Sequence, residues 1–338
     1  MIFYYDMMRN YLFYLLLSCA LAFPQKRVLA FYYPWYGTPS VSGNWVHWNE
    51  AGHNPEILLG DNLPDSATTN HPLKLYDSND PEVIKKHLSL AKWARIDALI
   101  YSWWGMDDFT DRAFRKALRI AEKEKGIPVK LTIYYETVSQ VAVDKVEATV
   151  KDLMYILNEY ADSPAFFKVG NKPVIFIYGR AMGQLGSKWR DVIDEVKRLR
   201  KGNVLFIADS LDSRWLDVFD GLHEYNPIGA ILAKADMYKR YRSCKEICSK
   251  RGKISCATVI PGYDDSNVRQ NNPIVRLRED GKLYQKLWED AIKADVDWVL
   301  ICSFNEWHEG TEIEPSVEYG KFYLQLTREY ANRFKKGR

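Results

Sequence analysis

From residue 28 onward the chain alternates between two patterns of apolar and polar positions. Short runs dense in β-branched and aromatic residues predict buried strands at Val28–Tyr33, Ala98–Ser102, Val129–Tyr135, Val174–Tyr178, Val204–Ala208, Gly221–Tyr225, Ile254–Ile260 and Trp298–Ser303. Longer stretches, apolar on one helical face and charged on the other, predict helices at Pro81–Arg95, Thr110–Lys125, Asp144–Tyr160, Lys188–Arg200, Ala233–Lys250 and Asp280–Ala294, with Glu318–Lys335 closing the chain. Asp80 precedes Pro81 and Glu82, a cap followed by residues that suit a first helical turn. Gly126 suits the stop of the next helix, with Pro128 just beyond it.

Strands that alternate with helices run parallel, joined by right-handed crossovers. Eight such units in one run predict an α/β fold, a (β/α)8 TIM barrel. An open doubly wound sheet is the competing topology, and no Gly-x-Gly-x-x-Gly follows the first strand. Neither a linker nor a low-complexity stretch marks a second domain, so residues 23–338 are expected to form one unit. One connection is abnormal. Pro34 to Asp80 far exceeds the ~2–6 residues of a usual βα loop, and it carries Trp35, Tyr36, Trp45, His47, Trp48, His53 and His71. Its aromatic content argues for a structured wall over the active face rather than a disordered insertion.

Barrels of this kind carry their chemistry at the C-terminal ends of the strands. Those ends hold Tyr33-Pro34-Trp35-Tyr36, Ser102-Trp103-Trp104, Glu136, Tyr178-Gly179-Arg180, Asp209, His223-Glu224-Tyr225, Tyr263-Asp264-Asp265 and Asn305-Glu306-Trp307-His308-Glu309. Carboxylates and aromatics at one rim suit glycoside cleavage: one acid protonates the leaving oxygen, another acts as base or nucleophile, and rings pack on sugar faces. Glu306 and Glu309 are three apart, and a helical turn there sets their Cβ atoms about 5–6 Å apart on one face. Two carboxyls that close push their pKa values apart, as an acid and a base require. A solvated charge run is the alternative, and it leaves Trp307 and His308 without a purpose. Neither His-x-x-x-His nor a Cys/His pair supports a metal, although Glu306, His308 and Glu309 contain the ligand types. No Gly-x-Ser-x-Gly elbow supports a serine nucleophile. His87 is expected to be a surface or packing residue, and His53 and His71 loop residues.

Composition adds less. The chain has 338 residues, 11 Trp and 22 Tyr, which fit a packed core and a sugar site equally. A net charge of +3 with no isolated basic stripe gives no case for nucleic acid as a partner. Residues 1–22 are different: Arg9 precedes an apolar run that ends in Ala20-Leu21-Ala22. This pattern predicts a secretory signal peptide, with a lipoprotein leader at Cys19 or an uncleaved membrane anchor as alternatives. The expected location is therefore extracytoplasmic, secreted or held by the N-terminal segment, which is also the expected route to any membrane. Export would permit a disulfide among Cys244, Cys248 and Cys256; unpaired thiols are the alternative, and Cys302 is expected in the core.

The segment Ser303-Phe304-Asn305-Glu306-Trp307-His308-Glu309-Gly310-Thr311 resembles glycoside hydrolase family 99, the endo-α-mannosidase and endo-α-mannanase family. So do Phe31-Tyr32-Tyr33-Pro34-Trp35-Tyr36-Gly37 and His47-Trp48-Asn49, with weaker echoes at Ser102-Trp103, Glu136, Ser163-Pro164-Ala165-Phe166 and Pro261-Gly262-Tyr263. The resemblance spans nearly all of the chain after the leader. It implies a retaining enzyme acting on a mannan or mannose-rich oligosaccharide, without metal or organic cofactor. Glu306 would act as base on the substrate's 2-hydroxyl, giving a 1,2-anhydro sugar. Glu309 would protonate the leaving oxygen and then activate water. Glu136 and Tyr225 match contacts to the sugar being cleaved, and Tyr33, Tyr36, His47, Trp103, Asn305, Trp307 and His308 would complete the cleft. The sequence departs from the family at Glu312, where a Gln is usual, around Glu136, and after Tyr225; these positions bear on distal subsites. A hydrolase or transglycosidase acting on another α-linked polysaccharide, and a non-catalytic glycan-binding barrel, are the competing functions.

Overall fold

The computed structural model describes residues 25–123 and 129–337. The leader, with Cys19, and the expected helix stop at Gly126 lie outside them. Among the described residues no helix is long and apolar enough to cross a membrane.

Eight parallel strands form the barrel: β1 (Arg27–Tyr32), β2 (Ala98–Trp103), β3 (Lys130–Tyr135), β4 (Lys172–Ile177), β5 (Leu205–Asp209), β6 (Gly221–His223), β7 (Ile254–Val259) and β8 (Trp298–Ile301). The sheet runs β3-β2-β1-β8-β7-β6-β5-β4 and closes through β3 on β4, where Tyr134 faces Phe176 and Tyr135 faces Ile177. Side chains alternate across each strand, so one parity fills the barrel and the other meets the helices. Inside, Phe31, Tyr134, Phe176 and His223 make ring contacts with centroids 4.8–5.8 Å apart. Outside, Tyr135 Oη donates to Asp152 on the neighbouring helix.

The outer layer comprises α1 (Pro81–Trp93), α2 (Phe109–Lys123), α3 (Lys145–Glu159), α4 (Gly179–Leu185), α5 (Trp189–Leu199), α6 (Met237–Ser249), α7 (Lys282–Ala294) and α8 (Phe322–Lys335). Asp80 caps α1 through Glu82 N, with Pro81 in the first turn, and Asp144 caps α3 through Val146 N and Glu147 N. One expectation changes. The helix expected over Ala233–Lys250 starts only at Met237, as α6, because Asp236 caps its first turn by accepting from Lys239 N; a separate short helix at Ile228–Leu232 precedes it. The β5–β6 crossover, for which the sequence pattern predicts no helix, carries a 3-10 turn, Ser213–Asp217. Cys244, Cys248, Cys256 and Cys302 are buried free thiols, so the alternative of unpaired cysteines holds.

The long segment after β1 folds as a wall over the β8 side of the rim. Trp48 is fully buried, stacks on Tyr36 at 4.0 Å and donates from Nε1 to Tyr76 O. His53 bridges Asp65 and Asn267 O, Thr69 Oγ1 donates to Asp264 O, and His71 meets Glu318 at 2.8 Å. His87 is buried, with Nδ1 2.9 Å from Tyr32 Oη and Nε2 2.9 Å from Glu314 Oε1.

Candidate active site

Past Ile301 the backbone leaves the sheet and makes a single 3-10 turn, Trp307–Glu309, with Glu306 at its N-cap. Ser303 Oγ accepts from Glu306 N at 2.7 Å. The turn ends at Gly310, whose φ of +56° favours glycine; a Cβ there would also meet Asp264 O at 3.0 Å. This geometry sends neighbouring side chains in opposite directions. Asn305 and Trp307 point into the protein and are fully buried, while Glu306, His308 and Glu309 line a cavity of about 260 Å³ at the mouth of the barrel.

The buried pair anchors the turn. Asn305 Oδ1 accepts from Tyr33 N at 2.7 Å, and its Nδ2 donates to Tyr33 O, so the side chain extends the hydrogen bonding of β1 by one residue. Tyr76 Oη accepts from Asn305 Nδ2 and Trp307 Nε1 and donates to Glu314 at 2.9 Å. Tyr36 Oη accepts from Trp307 N.

On the cavity side, Glu306 Oε1 accepts from His308 N at 3.2 Å. Its Oε2 is buried and has no hydrogen-bond partner among the described residues. Glu309 Oε2 accepts from Tyr225 Oη at 3.1 Å. Burial raises both carboxyls. Glu306 is held well above the usual carboxylate range, with the Glu309 charge adding to the effect; Glu309 is pushed up to about 7, restrained by Tyr225 and Arg269. The two carboxyls therefore titrate as a unit, and burial makes the pair hold protons to higher pH than solvated carboxyls do. Across the cavity, Glu136 Oε1 accepts from Ser102 Oγ at 2.8 Å, and burial moves its carboxyl up to about 8. The Arg180 guanidinium lies over Trp104 at 4.8 Å and Tyr178 at 5.4 Å. Asp265 accepts from Arg269 at 2.7 Å at a third edge.

One carboxyl with a free oxygen, a second carboxyl braced by a phenol, and an aromatic rim fit acid–base chemistry on a polyhydroxylated substrate. A family model described as Glycosyl hydrolase family 99 matches residues 24–336. The chain belongs to glycosyl hydrolase family 99.

Its relatives agree with that assignment. Glycoprotein endo-alpha-1,2-mannosidase of Mus musculus is 28% identical over 351 residues, covering 91% of this chain and 75% of the relative. The solved GH99 endo-alpha-mannosidase from Bacteroides thetaiotaomicron is similar with a TM-score of 0.78 at 29% identity, covering 92% of this chain and 98% of that one. A solved glycoside hydrolase-like protein, at 18% identity and a TM-score of 0.63, shares the fold. As a family 99 member the chain is a glycoside hydrolase, and the non-catalytic alternative falls away.

Of the residues singled out from the sequence, Glu306, Glu309, Tyr33, His47, Glu136, Tyr225 and His308 surround the cavity of this family 99 barrel. Four others do not line it. Tyr36, Asn305 and Trp307 form the buried layer behind it. Trp103 takes the outward parity of β2 and donates from Nε1 to Asp111 Oδ1 on α2 at 2.7 Å. The next residue, Trp104, fills the place expected of Trp103, with its Nε1 donating to Ser102 Oγ. Sequence reasoning passed over Glu50 and Arg269 entirely: each is a charged residue in a long connection, with no local pattern to separate it from a solvated one. Glu312, which departs from the family, is buried away from the cavity and pairs with Arg278 and Asn70.

Proposed function

We propose that this glycoside hydrolase is an endo-acting enzyme that cleaves α-mannosidic linkages in mannan or mannose-rich glycans with retention of configuration. The observation that carries the reading is Glu306 Oε2, a buried carboxyl oxygen without a hydrogen-bond partner among the described residues, on a side chain that lines the cavity together with Glu309. A desolvated acceptor of this kind needs a donor, and a sugar hydroxyl supplies one. In our mechanism Glu306 removes the proton of the substrate's 2-hydroxyl as that oxygen attacks C1. Glu309 gives its proton to the departing glycosidic oxygen. The C1–leaving-group bond breaks and a C1–O2 bond forms, giving a 1,2-anhydro sugar. Glu309, now ionised, takes a proton from water as the water oxygen opens the epoxide at C1, and Glu306 returns a proton to O2. In an α-mannoside O2 and the leaving group are trans, as backside attack requires; in an α-glucoside they are cis. The route is thus a substrate-assisted departure from the two-carboxylate scheme.

Names of the relatives support mannose as the substrate sugar: the murine protein and the bacterial structure are both called endo-alpha-mannosidases. The test is to incubate the chain with α-mannan and α-glucan and to follow the first-formed reducing end by NMR. We expect oligosaccharide release from mannan alone, with the α-anomer appearing first. Release of the β-anomer, or release from glucan alone, would overturn the proposal. We also propose export, on the strength of the sequence of residues 1–22. Fractionation of expressing cells tests it, and activity confined to the cytoplasm would reject it.

A further inference from the structure

The cavity wall brings together three groups that carry no proton transfer or bond-making step in the proposed hydrolysis. His47, Glu50 and His308 each offer a ligand atom, and these atoms all lie within 4.8 Å of one another. His47 Nδ1 is 2.7 Å from Glu50 Oε1 but out of line for a hydrogen bond, and it has no other partner among the described residues. His308 Nδ1 is 4.0 Å from Glu50 Oε2 and 3.9 Å from Glu306 Oε1.

The surroundings fix both rings. His308 Nε2 donates to the His47 carbonyl at 2.7 Å. That bond puts a proton on Nε2 and leaves Nδ1, about 4 Å from both the Glu50 and Glu306 carboxylates, as the ring nitrogen that can bind a metal, in the way the outer hydrogen bond of a metal-bound histidine does. His47 is held at φ +62°, unusual for a non-glycine residue, and stacks on Trp35 at 4.5 Å with ring planes 15° apart. Backbone strain at a cavity wall, a ring clamped by an indole, and a second ring with its tautomer set make a prearranged pair of nitrogen donors beside one adaptable carboxylate.

We propose that His47, Glu50 and His308 bind a divalent transition-metal ion of the zinc class at the wall of the cleft, its open coordination position facing Glu306 and the substrate. Two imidazole nitrogens and one carboxylate are a usual three-ligand zinc set, and tetrahedral bonds of about 2.1 Å need donors roughly 3.4 Å apart. The donor separations found here bracket that distance. Glu50 is the most exposed of the three and adjusts to close the set. Harder ions such as Mg2+, which prefer all-oxygen shells, are excluded by the two nitrogens. An ion there sits within reach of Glu306 Oε1, so its occupation ties up the proposed base and blocks hydrolysis. Binding depends on these side chains alone and not on which glycan is cleaved.

The test uses the full chain after dialysis against EDTA, titrated calorimetrically with ZnSO4 and with MgCl2 and followed with CoCl2 by visible absorption. We expect one Zn2+ per chain, no response to Mg2+, and the intense visible bands of tetrahedral Co2+. His47→Ala and Glu50→Gln each weaken Zn2+ binding by about 10-fold or more. Glu50→Gln alters a partly exposed side chain, so it keeps the test sound if His47→Ala does not fold. In activity assays Zn2+ inhibits the unmodified chain, and Glu50→Gln raises the inhibitory concentration in proportion to its loss of affinity. No stoichiometric Zn2+ binding, or binding unchanged in Glu50→Gln, overturns the proposal. Because the titrations contain no glycan, that failure is separate from any failure of the α-mannosidase reading.

Discussion

Trp103 and Trp104 are neighbours with the same side chain and opposite surroundings. Trp103 is buried against α2 with its Nε1 on Asp111; Trp104 is partly open to the cavity beneath Arg180. The same division recurs at the end of β8, where Asn305 and Trp307 anchor the turn and Glu306 and His308 face the cavity. At the mouth of this barrel one residue of chain separates the layer that lines the cavity from the layer that holds it in place. The two layers should therefore fail in different ways: cavity-facing changes act on rate or affinity, and inward changes act first on stability.

The largest separation is expected at the carboxyls. Glu306→Gln and Glu309→Gln should each lower kcat/KM by about 10²-fold or more, as loss of an acid–base group implies. Their melting temperatures should stay level or rise, since each change removes a charge whose burial is unfavourable. Steady-state kinetics beside thermal melts would check this. A near-normal rate in either variant removes that residue from the mechanism.

Trp103→Phe should act in the opposite sense. It strips Asp111 Oδ1 of one donor, although Tyr160 Oη still donates to that oxygen, and it leaves a small void. A cost of about 1–3 kcal/mol is expected in denaturant unfolding, with KM little changed. A large rise in KM at unchanged stability would put Trp103 in the cleft after all. Trp104→Ala is the smallest of the three: loss of a ring face worth about 0.5–1.5 kcal/mol raises KM roughly 2- to 10-fold. Its unfolding midpoint should barely move, and a drop as large as that of Trp103→Phe would erase the distinction between the two.

This division also marks where the sequence stops being informative. The eight strands were legible because barrel strands are buried on both faces and leave continuous apolar runs such as Val28–Tyr33. Glu306 and Glu309 were legible because a charged, aromatic cluster directly after such a run has few other uses. Parity was not. Period-two alternation separates Ser102 from Trp103, but it does not say which parity faces the axis, so Trp103 and Trp104 could not be told apart. Beyond β8 the strand ends, and it is the 3-10 turn that sets Asn305 and Trp307 inward and brings the neighbours His308 and Glu309 to the cavity beside Glu306. Glu50 and Arg269 come from connections whose path over the rim is set by distant contacts such as His53 on Asn267 O.

The most direct measurement of the central claim, that Glu306 acts on the substrate through its 2-hydroxyl, compares an α-mannosyl oligosaccharide with its 2-deoxy counterpart. The substitution removes the one group the mechanism needs and, by making the anomeric carbon easier to ionise, favours the ordinary displacement routes. The parent is expected to be cleaved, and the 2-deoxy compound to bind without being cleaved. Cleavage of the 2-deoxy compound at a rate equal to or above that of the parent would contradict the claim.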